Sequence, residues 1–306
     1  MKIGILCYPT YGGSGIVATE LGMSLANKGY EVHFISSNLP ARLDITNPNI
    51  FFHKVNVQTY PLFQYQPYDI ALSSMIYRVV NLYKLDLLHA HYAIPYAYAA
   101  FTAKQMLKEE GKDIPLVTTL HGTDITLVGQ HPSYKHAVEF SINKSDTITS
   151  VSESLKKDTL QIFNIKKEIK VITNFIDNTE FDDFNECSRR QFATDDEKIL
   201  IHVSNLRPVK RIEDVLEIFK DVEKHVKSKL IIIGEGPDME KVNGFLEENP
   251  NLINKIRLLG KVNDLYRILQ LSDVFLLPSE QESFGLAALE AMAAHTPVIS
   301  SNAGGI

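Results

Sequence analysis

Residues 278–297 read PSEQESFGLAALEAMAAHTP and follow the apolar run 274–277, VFLL. The run is short, apolar and halted by a proline, which predicts a buried strand. From Gly285 onward the stretch is rich in Ala and Leu, which predicts a helix. A strand feeding a helix through a short loop is the repeating unit of a parallel α/β sheet. Glu282 lies in that loop, and Glu290 lies eight positions further on, about a turn and a half into the helix. Between them the first N–H groups of the helix lack an intrahelical partner and the dipole favours negative charge, so a diphosphate can dock without a metal. Both carboxylates are then left for the hydroxyls of a sugar. A lone pair of glutamates is ordinarily solvated surface; the neighbouring motifs decide against that reading here.

Outward from this stretch, β-rich runs alternate with helical patterns almost from end to end, which predicts an α/β protein with parallel sheets and crossover helices on both faces. Strands are expected at 2–8, 31–36, 87–91, 116–120, 147–151 and 170–173, with 50–57 as a further one. Helices are expected at 15–28, 93–110 and 152–163. The polar stretch 177–196 has the composition of a linker or exposed excursion. A second series of strands follows at 199–203, 230–233, 256–259, 274–277 and 298–300. The expectation is two doubly wound, Rossmann-like domains, residues 1–173 and 174–306, facing a cleft beyond the carboxyl ends of their strands. The chain stops at residues 302–306 directly after a strand, which predicts a second domain lacking its closing elements.

With 306 residues, two cores are affordable in size. A net charge of −6 with no Lys/Arg block argues against a nucleic-acid partner and against docking on anionic membrane. Two cysteines, Cys7 and Cys187, are too few for a disulfide framework and point to a reducing cytoplasm. The start, MKIGILCYPT, reads as a first strand rather than a signal peptide, and no segment approaches a membrane span. The sequence is compatible with a homo-oligomer.

After the first strand comes Tyr11-Gly12-Gly13-Ser14-Gly15. Glycines there permit close approach of a ligand to a helix N-terminus. A dinucleotide fold would require GxGxxG and an acid ending the second strand, where this chain has Ser36-Ser37-Asn38, so a nicotinamide or flavin cofactor is not expected. His121 ends a strand in Thr118-Thr119-Leu120-His121-Gly122-Thr123-Asp124 and is a candidate functional imidazole. His89 and His91 alternate along one strand and are expected to pack in the core or line the site, because no third metal ligand is evident. Ser204-Asn205-Leu206-Arg207-Pro208-Val209-Lys210-Arg211 follows the first strand of the second series, and its three cations can hold a diphosphate. Gly234-Glu235-Gly236-Pro237 adds a close-approach loop to the same edge. No Asp-x-Asp occurs, so no metal is expected.

Together these motifs resemble the retaining glycosyltransferases of family 4, which have the GT-B fold; the family's two glutamates separated by seven residues are matched by Glu282 and Glu290. The segments 7–9, 12–15, 39–43, 89–95, 118–124 and 204–211 resemble more narrowly those members that pass N-acetylglucosamine from UDP-GlcNAc to the hydroxyl of L-malate in bacillithiol biosynthesis. The resemblance spans all 306 residues. It implies that Glu290 holds the ribose hydroxyls and Glu282 the transferred sugar, with Ser283, Phe284, Gly285 and Leu286 against sugar and diphosphate. Lys210 matches the diphosphate lysine; the family's arginine position falls at Asn205, with Arg207 two residues on, and Gly234 completes the donor side. The interdomain turn of the family is represented by Thr173-Asn174-Phe175, a departure from its usual Pro-Asn-Gly form.

The expected mechanism uses Lys210, Arg207 and the helix opening at Gly285 to stabilise departing UDP. Gly12, Gly13 and Ser14 are expected to hold an acceptor carboxylate, with Tyr92 and Thr119 adding hydroxyl contacts and Arg42 an ion pair. His121, Lys210 and Glu282 are the expected catalytic residues. UDP-sugar is then a substrate rather than a cofactor, and retention is implied by the resemblance alone. The rival readings are a family 4 enzyme with a lipid or glycan acceptor and a non-catalytic nucleotide-sugar binding fragment.

Overall fold

The structure is a computed structural model that describes residues 1–176, 189–262 and 264–306. Cys187 and most of the expected 177–196 linker therefore lie outside the described residues. The chain divides into two compact units, Met1–Phe175 and Ile176–Ile306.

The first unit is built in the order β1 (Lys2–Leu6), α1 (Gly13–Asn27), β2 (Glu31–Ser36), β3 (Ile50–Lys54), α2 (Tyr68–Tyr83), β4 (Leu87–His91), α3 (Tyr98–Glu109), β5 (Leu116–Leu120), α4 (Pro132–Lys144), β6 (Thr147–Ser150), α5 (Glu153–Ile162) and β7 (Ile169–Val171). Its seven strands are ordered β3-β2-β1-β4-β5-β6-β7, and every pair is parallel. Successive side chains on a strand face opposite ways, so each strand feeds two cores. Ile3, Ile5, Val32 and Phe34 pack with Ala18 of α1 on one face. Leu6, Ile35 and Leu88 pack with Leu72 and Ile76 of α2 and with Leu107 of α3 on the other. Burial on both faces is why these strands read as apolar runs rather than as alternating patterns.

The second unit runs β8 (Lys198–Val203), α6 (Ile212–Glu223), β9 (Ser228–Ile233), α7 (Met239–Glu248), β10 (Ile256–Gly260), α8 (Leu265–Gln270), β11 (Val274–Leu277), α9 (Leu286–Ala293) and β12 (Val298–Ser300). Its five parallel strands are ordered β10-β9-β8-β11-β12. Ile199, Ile201, Ile231 and Phe275 pack under Leu269 of α8 and Ala291 of α9. Leu200, Leu230, Ile232 and Leu276 pack under Leu216 of α6 and Val242 of α7.

Strand order reverses between β1 and β4 in the first sheet and between β8 and β11 in the second. At such a reversal the two crossover connections leave to opposite faces, and the strand ends are left open to a ligand. The residues following β1, β4, β8 and β11 therefore border these openings.

Candidate functional site

In the second unit, His202 near the end of β8 sets the geometry. It is fully buried, and its Nδ1 lies 2.9 Å from the Leu276 carbonyl on β11. A carbonyl only accepts, so Nδ1 carries the proton and Nε2 accepts from the Ser204 hydroxyl at 2.8 Å. Ser204 Oγ in turn accepts the Leu206 N–H at 3.2 Å, which turns the chain into the 204–211 loop. Burial, more than the nearby Lys210 charge, pushes His202 down to about 4 and keeps it neutral. The Glu280 N–H donates to the Val209 carbonyl at 2.9 Å, clamping the loop after β11 to the loop after β8.

Across this clamp Lys210 Nζ forms an ion pair with Glu282 Oε1, which also accepts from Ser279 Oγ at 2.9 Å. The two side chains are only 20% and 10% exposed, so their attraction is less screened than that of a surface pair. The Glu282 carbonyl accepts from the Gly305 N–H at 2.8 Å, fixing the loop from its other side. Gly285 caps α9 with φ +78°, a left-handed conformation that only glycine adopts without strain. The N–H groups of Ala288 and Leu289 both return to the Gly285 carbonyl, so those of Leu286 and Ala287 are the ones the helix leaves over. Glu290, one turn inside α9, is buried at 6% exposure.

Lys210 and Glu282, expected to serve diphosphate and sugar separately, are thus each other's partner in this structure. Of the other two cations in the loop, Arg211 pairs with Asp214 of α6 at 2.7 Å, and Arg207 is exposed, as is Asn205. Gly234 has φ +115°, and a Cβ there would lie 1.8 Å from the Ser204 carbonyl oxygen. The close approach it permits is that of β9 to the 204–211 loop. Ser283, Phe284 and Leu286 are half-buried around the α9 entry.

In the first unit the ends of β4 and β5 are stapled by Asp124. Its carboxylate accepts the Ala93 N–H at 3.0 Å, the Gly122 N–H at 3.0 Å and the His121 N–H at 3.2 Å. It is 2% exposed, and burial raises it to about 6 against the lowering effect of those bonds. The staple holds His121 so that its Nε2 lies 2.9 Å from His91 Nδ1. His89 Nε2 lies 2.7 Å from the Thr119 hydroxyl, which also meets Thr149 Oγ1 at 2.7 Å. The Thr119 hydroxyl expected to touch an acceptor is therefore buried and already engaged twice. His89 and His91 pack as expected, and His121 joins them as a third imidazole. Among the described residues no group of three or more His, Cys, Asp or Glu has the arrangement to hold a metal ion.

Tyr92, at φ +92°, sits with its ring 5.3 Å from Tyr8 and 5.4 Å from His121. At the start of α1, a Cβ on Gly15 would fall 2.4 Å from the Thr10 carbonyl oxygen, whereas one on Gly13 would meet nothing within 4 Å. Gly15 is thus demanded by the fold and Gly13 is not. Arg42 Nη1 lies 3.9 Å from Glu20 on α1, so this expected acceptor contact already faces a carboxylate. Cys7 is a buried free thiol pushed up to about 12 by burial.

Sequence reasoning missed His202 and Ser279, and it took Asp124 only as part of the motif around His121, not as the staple. A lone histidine inside the apolar run ILIHV marks a polar group that must be satisfied internally, and Ser279 stands one turn before Glu282. Asp124 left only the weaker signal of a carboxylate two residues past a glycine.

Comparison with known proteins places this geometry. The Glycosyltransferase Family 4 model matches residues 11–180, more than half of the chain. The chain belongs to glycosyltransferase family 4. The model for glycosyl transferases group 1 matches residues 183–306. Among family members, the chain is 46% identical to N-acetyl-alpha-D-glucosaminyl L-malate synthase of Bacillus anthracis, covering 100% of this chain and 80% of that protein. It is 30% identical to an uncharacterized glycosyltransferase of Methanocaldococcus jannaschii, covering 100% of this chain and 82% of the relative. In fold it is similar to Anabaena HepE in complex with UDP and glucose, with TM-score 0.80, 19% identity and coverage of 100% and 82%. It is likewise similar to sucrose-phosphate synthase from Thermosynechococcus elongatus, with TM-score 0.79, 19% identity and coverage of 100% and 82%. The protein is a family 4 glycosyltransferase with the two parallel-sheet units of the GT-B fold. Among the described residues no helix is long and apolar enough to cross a membrane.

Proposed function

We propose that the protein transfers N-acetylglucosamine from UDP-GlcNAc to the hydroxyl of L-malate with retention at the anomeric carbon. The observation that carries the donor half is the meeting of Lys210 and Glu282 at the strand-order reversal of the second unit, with buried Glu290 on the helix α9 that follows. An ammonium, two leftover helix N–H groups and two carboxylates offer cations and donors for a diphosphate and acceptors for hydroxyls. On donor binding Lys210 turns from Glu282 to the phosphates, and Glu282 is released to the sugar. The malate half rests on the 46% identical relative and on the open helix start at Gly13 and Ser14. The second unit is then the donor side and the first the acceptor side, in a cytoplasmic enzyme that needs no metal.

The bond from the anomeric carbon to the UDP oxygen breaks as the malate hydroxyl attacks from the same face, and its proton passes to the departing phosphate oxygen. Lys210 and α9 stabilise the charge that grows on that oxygen. His121, neutral and held by Asp124, orients the acceptor or the sugar 6-hydroxyl.

One observation favours a lipid acceptor instead: Leu62 and Tyr65, on the first unit, are 81% and 82% exposed beside exposed Tyr60 and Phe63. The segment carries no Lys or Arg to meet anionic headgroups. A panel of UDP- and ADP-sugars against malate, other small carboxylates, glycans and lipid vesicles separates the readings. UDP release with UDP-GlcNAc and malate, giving an α-linked product by NMR, is expected. Transfer to lipid or glycan with malate ignored would replace the acceptor and leave the donor half standing.

A further inference from the structure

His91 is 1% exposed, its Nδ1 lies 2.9 Å from His121 Nε2, and its own Nε2 is enclosed without a hydrogen-bond partner. Burial holds both rings neutral, driving His91 well below its ordinary range and His121 down to about 3, with repulsion from neighbouring imidazoles adding to it. Each ring thus carries one proton, and two arrangements make the contact a hydrogen bond. In one, His91 Nδ1–H donates to a bare His121 Nε2, so His121 is protonated on Nδ1 and the enclosed His91 nitrogen holds a lone pair. In the other, His121 Nε2–H donates to His91 Nδ1, and the enclosed nitrogen holds an N–H with nothing to accept it. Orphaned buried N–H groups are rarer and costlier than under-used acceptors. That difference outweighs the small preference of free imidazole for the Nε2–H form, and the first arrangement wins.

We infer that His91 is a positioning residue that fixes His121 in its Nδ1–H tautomer, so that His121 offers substrate a neutral hydrogen-bond donor. The proton on one imidazole nitrogen follows from the bond made by the other. None of the described residues hydrogen-bonds His121 Nδ1; the Asp124 staple fixes the His121 backbone, and the ring itself rests against His91 and Tyr92. A donor at this atom suits a hydroxyl or carboxylate oxygen, and it cannot take a proton there, which removes His121 from the role of base. The functional consequence rests on the reading of His121 as substrate-facing; the tautomer is a property of the free protein and is tested without substrate.

In ¹⁵N-histidine-labelled protein, long-range ¹H–¹⁵N spectra separate protonated from bare ring nitrogens, with His121 signals assigned by their loss in His121→Gln. His121 is expected to show protonated Nδ1 and bare Nε2; the reverse pattern overturns the inference, whatever the variants do. In His91→Phe, which keeps a buried ring and removes the donor, the pattern should move toward Nε2–H and kcat should fall about tenfold, the size of one lost neutral hydrogen bond. In His91→Asn the side-chain amide nitrogen takes the place of Nδ1, and both the Nδ1–H pattern and turnover should be restored. A folded His91→Phe with an unchanged His121 pattern would overturn the inference as well.

Discussion

Beyond β8 and β11 of the second unit, Lys210 and Glu282 meet as a half-buried ion pair. At the ends of β4 and β5 of the first unit, His91 and His121 meet as neutral imidazoles beside Tyr92. Both places lie at or beside a strand-order reversal of a parallel sheet, so topology opens each of them alike. What differs is the charge that each keeps. The second edge retains an ammonium and carboxylates and is suited to growing charge on a leaving phosphate. The first sheds charge by burial, except for Asp124, whose carboxylate is spent on three backbone N–H groups. One kind of sheet thus carries a charged edge in the second unit and a largely neutral edge in the first, which the proposed function assigns to donor and acceptor.

The sharpest way to break that division is at Lys210. Lys210→Ala removes the cation that the proposed function turns toward the departing phosphate and also leaves Glu282, 10% exposed, without its partner. Turnover should fall by about 10²–10³, the effect of deleting one preorganised donor to a developing negative charge. Because that charge grows toward the transition state, donor KM should change less than kcat. Steady-state kinetics decide it, and a pure KM effect would reduce Lys210 to a ground-state contact.

Glu290→Ala tests the same edge in binding rather than turnover. Loss of a charge-assisted contact to a ribose hydroxyl should weaken UDP binding by about 1.5–3 kcal/mol. Titration calorimetry reads this directly, and unchanged affinity would remove Glu290 from the donor site.

The ion pair behind the first of these effects could not be read locally, because its partners stand 72 positions apart and only the β8–β11 neighbourhood joins them. The strands themselves were legible. The expected 31–36, 87–91, 116–120 and 274–277 coincide with β2, β4, β5 and β11, since strands covered on both faces stay apolar until a polar or turn residue stops them, and 298–300 coincides with β12, an edge strand on which Ile299 is exposed. Helices α2 and α4 were not expected. In α4 only Val138, Ser141 and Ile142 are buried, and a stripe this narrow and partly polar hides the helical period. In α2 the β-branched and aromatic residues of YDIALSSMIYRVVNLY suit a strand as well as a helix, and packing against α3 settles the matter. The glycines of residues 12–15 were legible as a close-approach turn, although α1 already begins at Gly13 rather than at residue 15, and which of them serves the fold and which leaves room for a ligand is set by packing that the sequence does not show.

Acid provides a contrast that needs no mutation. In the first unit His33, His53, His89, His91 and His121 are all lowered, mainly by burial, whereas in the second His202 alone is, among the described residues. A histidine lowered in the folded state stays neutral there while the unfolded chain takes up a proton near its ordinary 6.5, so its contribution to stability is lost as pH falls below that value. Asp124, raised to about 6, acts in the opposite sense, favouring the folded state as pH falls from 6 toward 4, but it is one group against five. The lowered carboxylates Asp146 and Asp273 titrate below this range. Moving from pH 7.5 to 5 should therefore speed amide hydrogen exchange in β4 and β5 more than in β8 and β9, by about tenfold or more after correction for intrinsic rates. Equal changes in the two units would contradict it.

A smaller and more local test separates fold from ligand at the start of α1. Gly15→Ala drives a Cβ against the Thr10 and Tyr8 carbonyls and should lower Tm by several degrees, roughly 2–4 °C per kcal/mol for a domain of this size. Gly13→Val enters open space and should leave Tm almost unchanged. It should nevertheless raise the malate KM, on the order of tenfold, by crowding the helix N-terminus that the proposed function gives to the acceptor carboxylate, without altering UDP affinity. Unchanged malate kinetics would move the acceptor away from this loop.

The smallest expected effect is none. If the ammonium of Lys210 and the N–H groups of Leu286 and Ala287 neutralise the diphosphate, the enzyme has no step left for a divalent cation, and excess EDTA should leave turnover as it was. The sequence offers no Asp-x-Asp to chelate a metal–diphosphate complex, and the carboxylate that meets Lys210, Glu282, is already neutralised by the lysine itself. A cation binding at Glu282 would have to displace Lys210 from it. Activity abolished by EDTA and returned by Mg²⁺ or Mn²⁺ would show that the charged edge is incomplete as described, and Lys210→Ala would then be expected to cost far less than the loss of the metal.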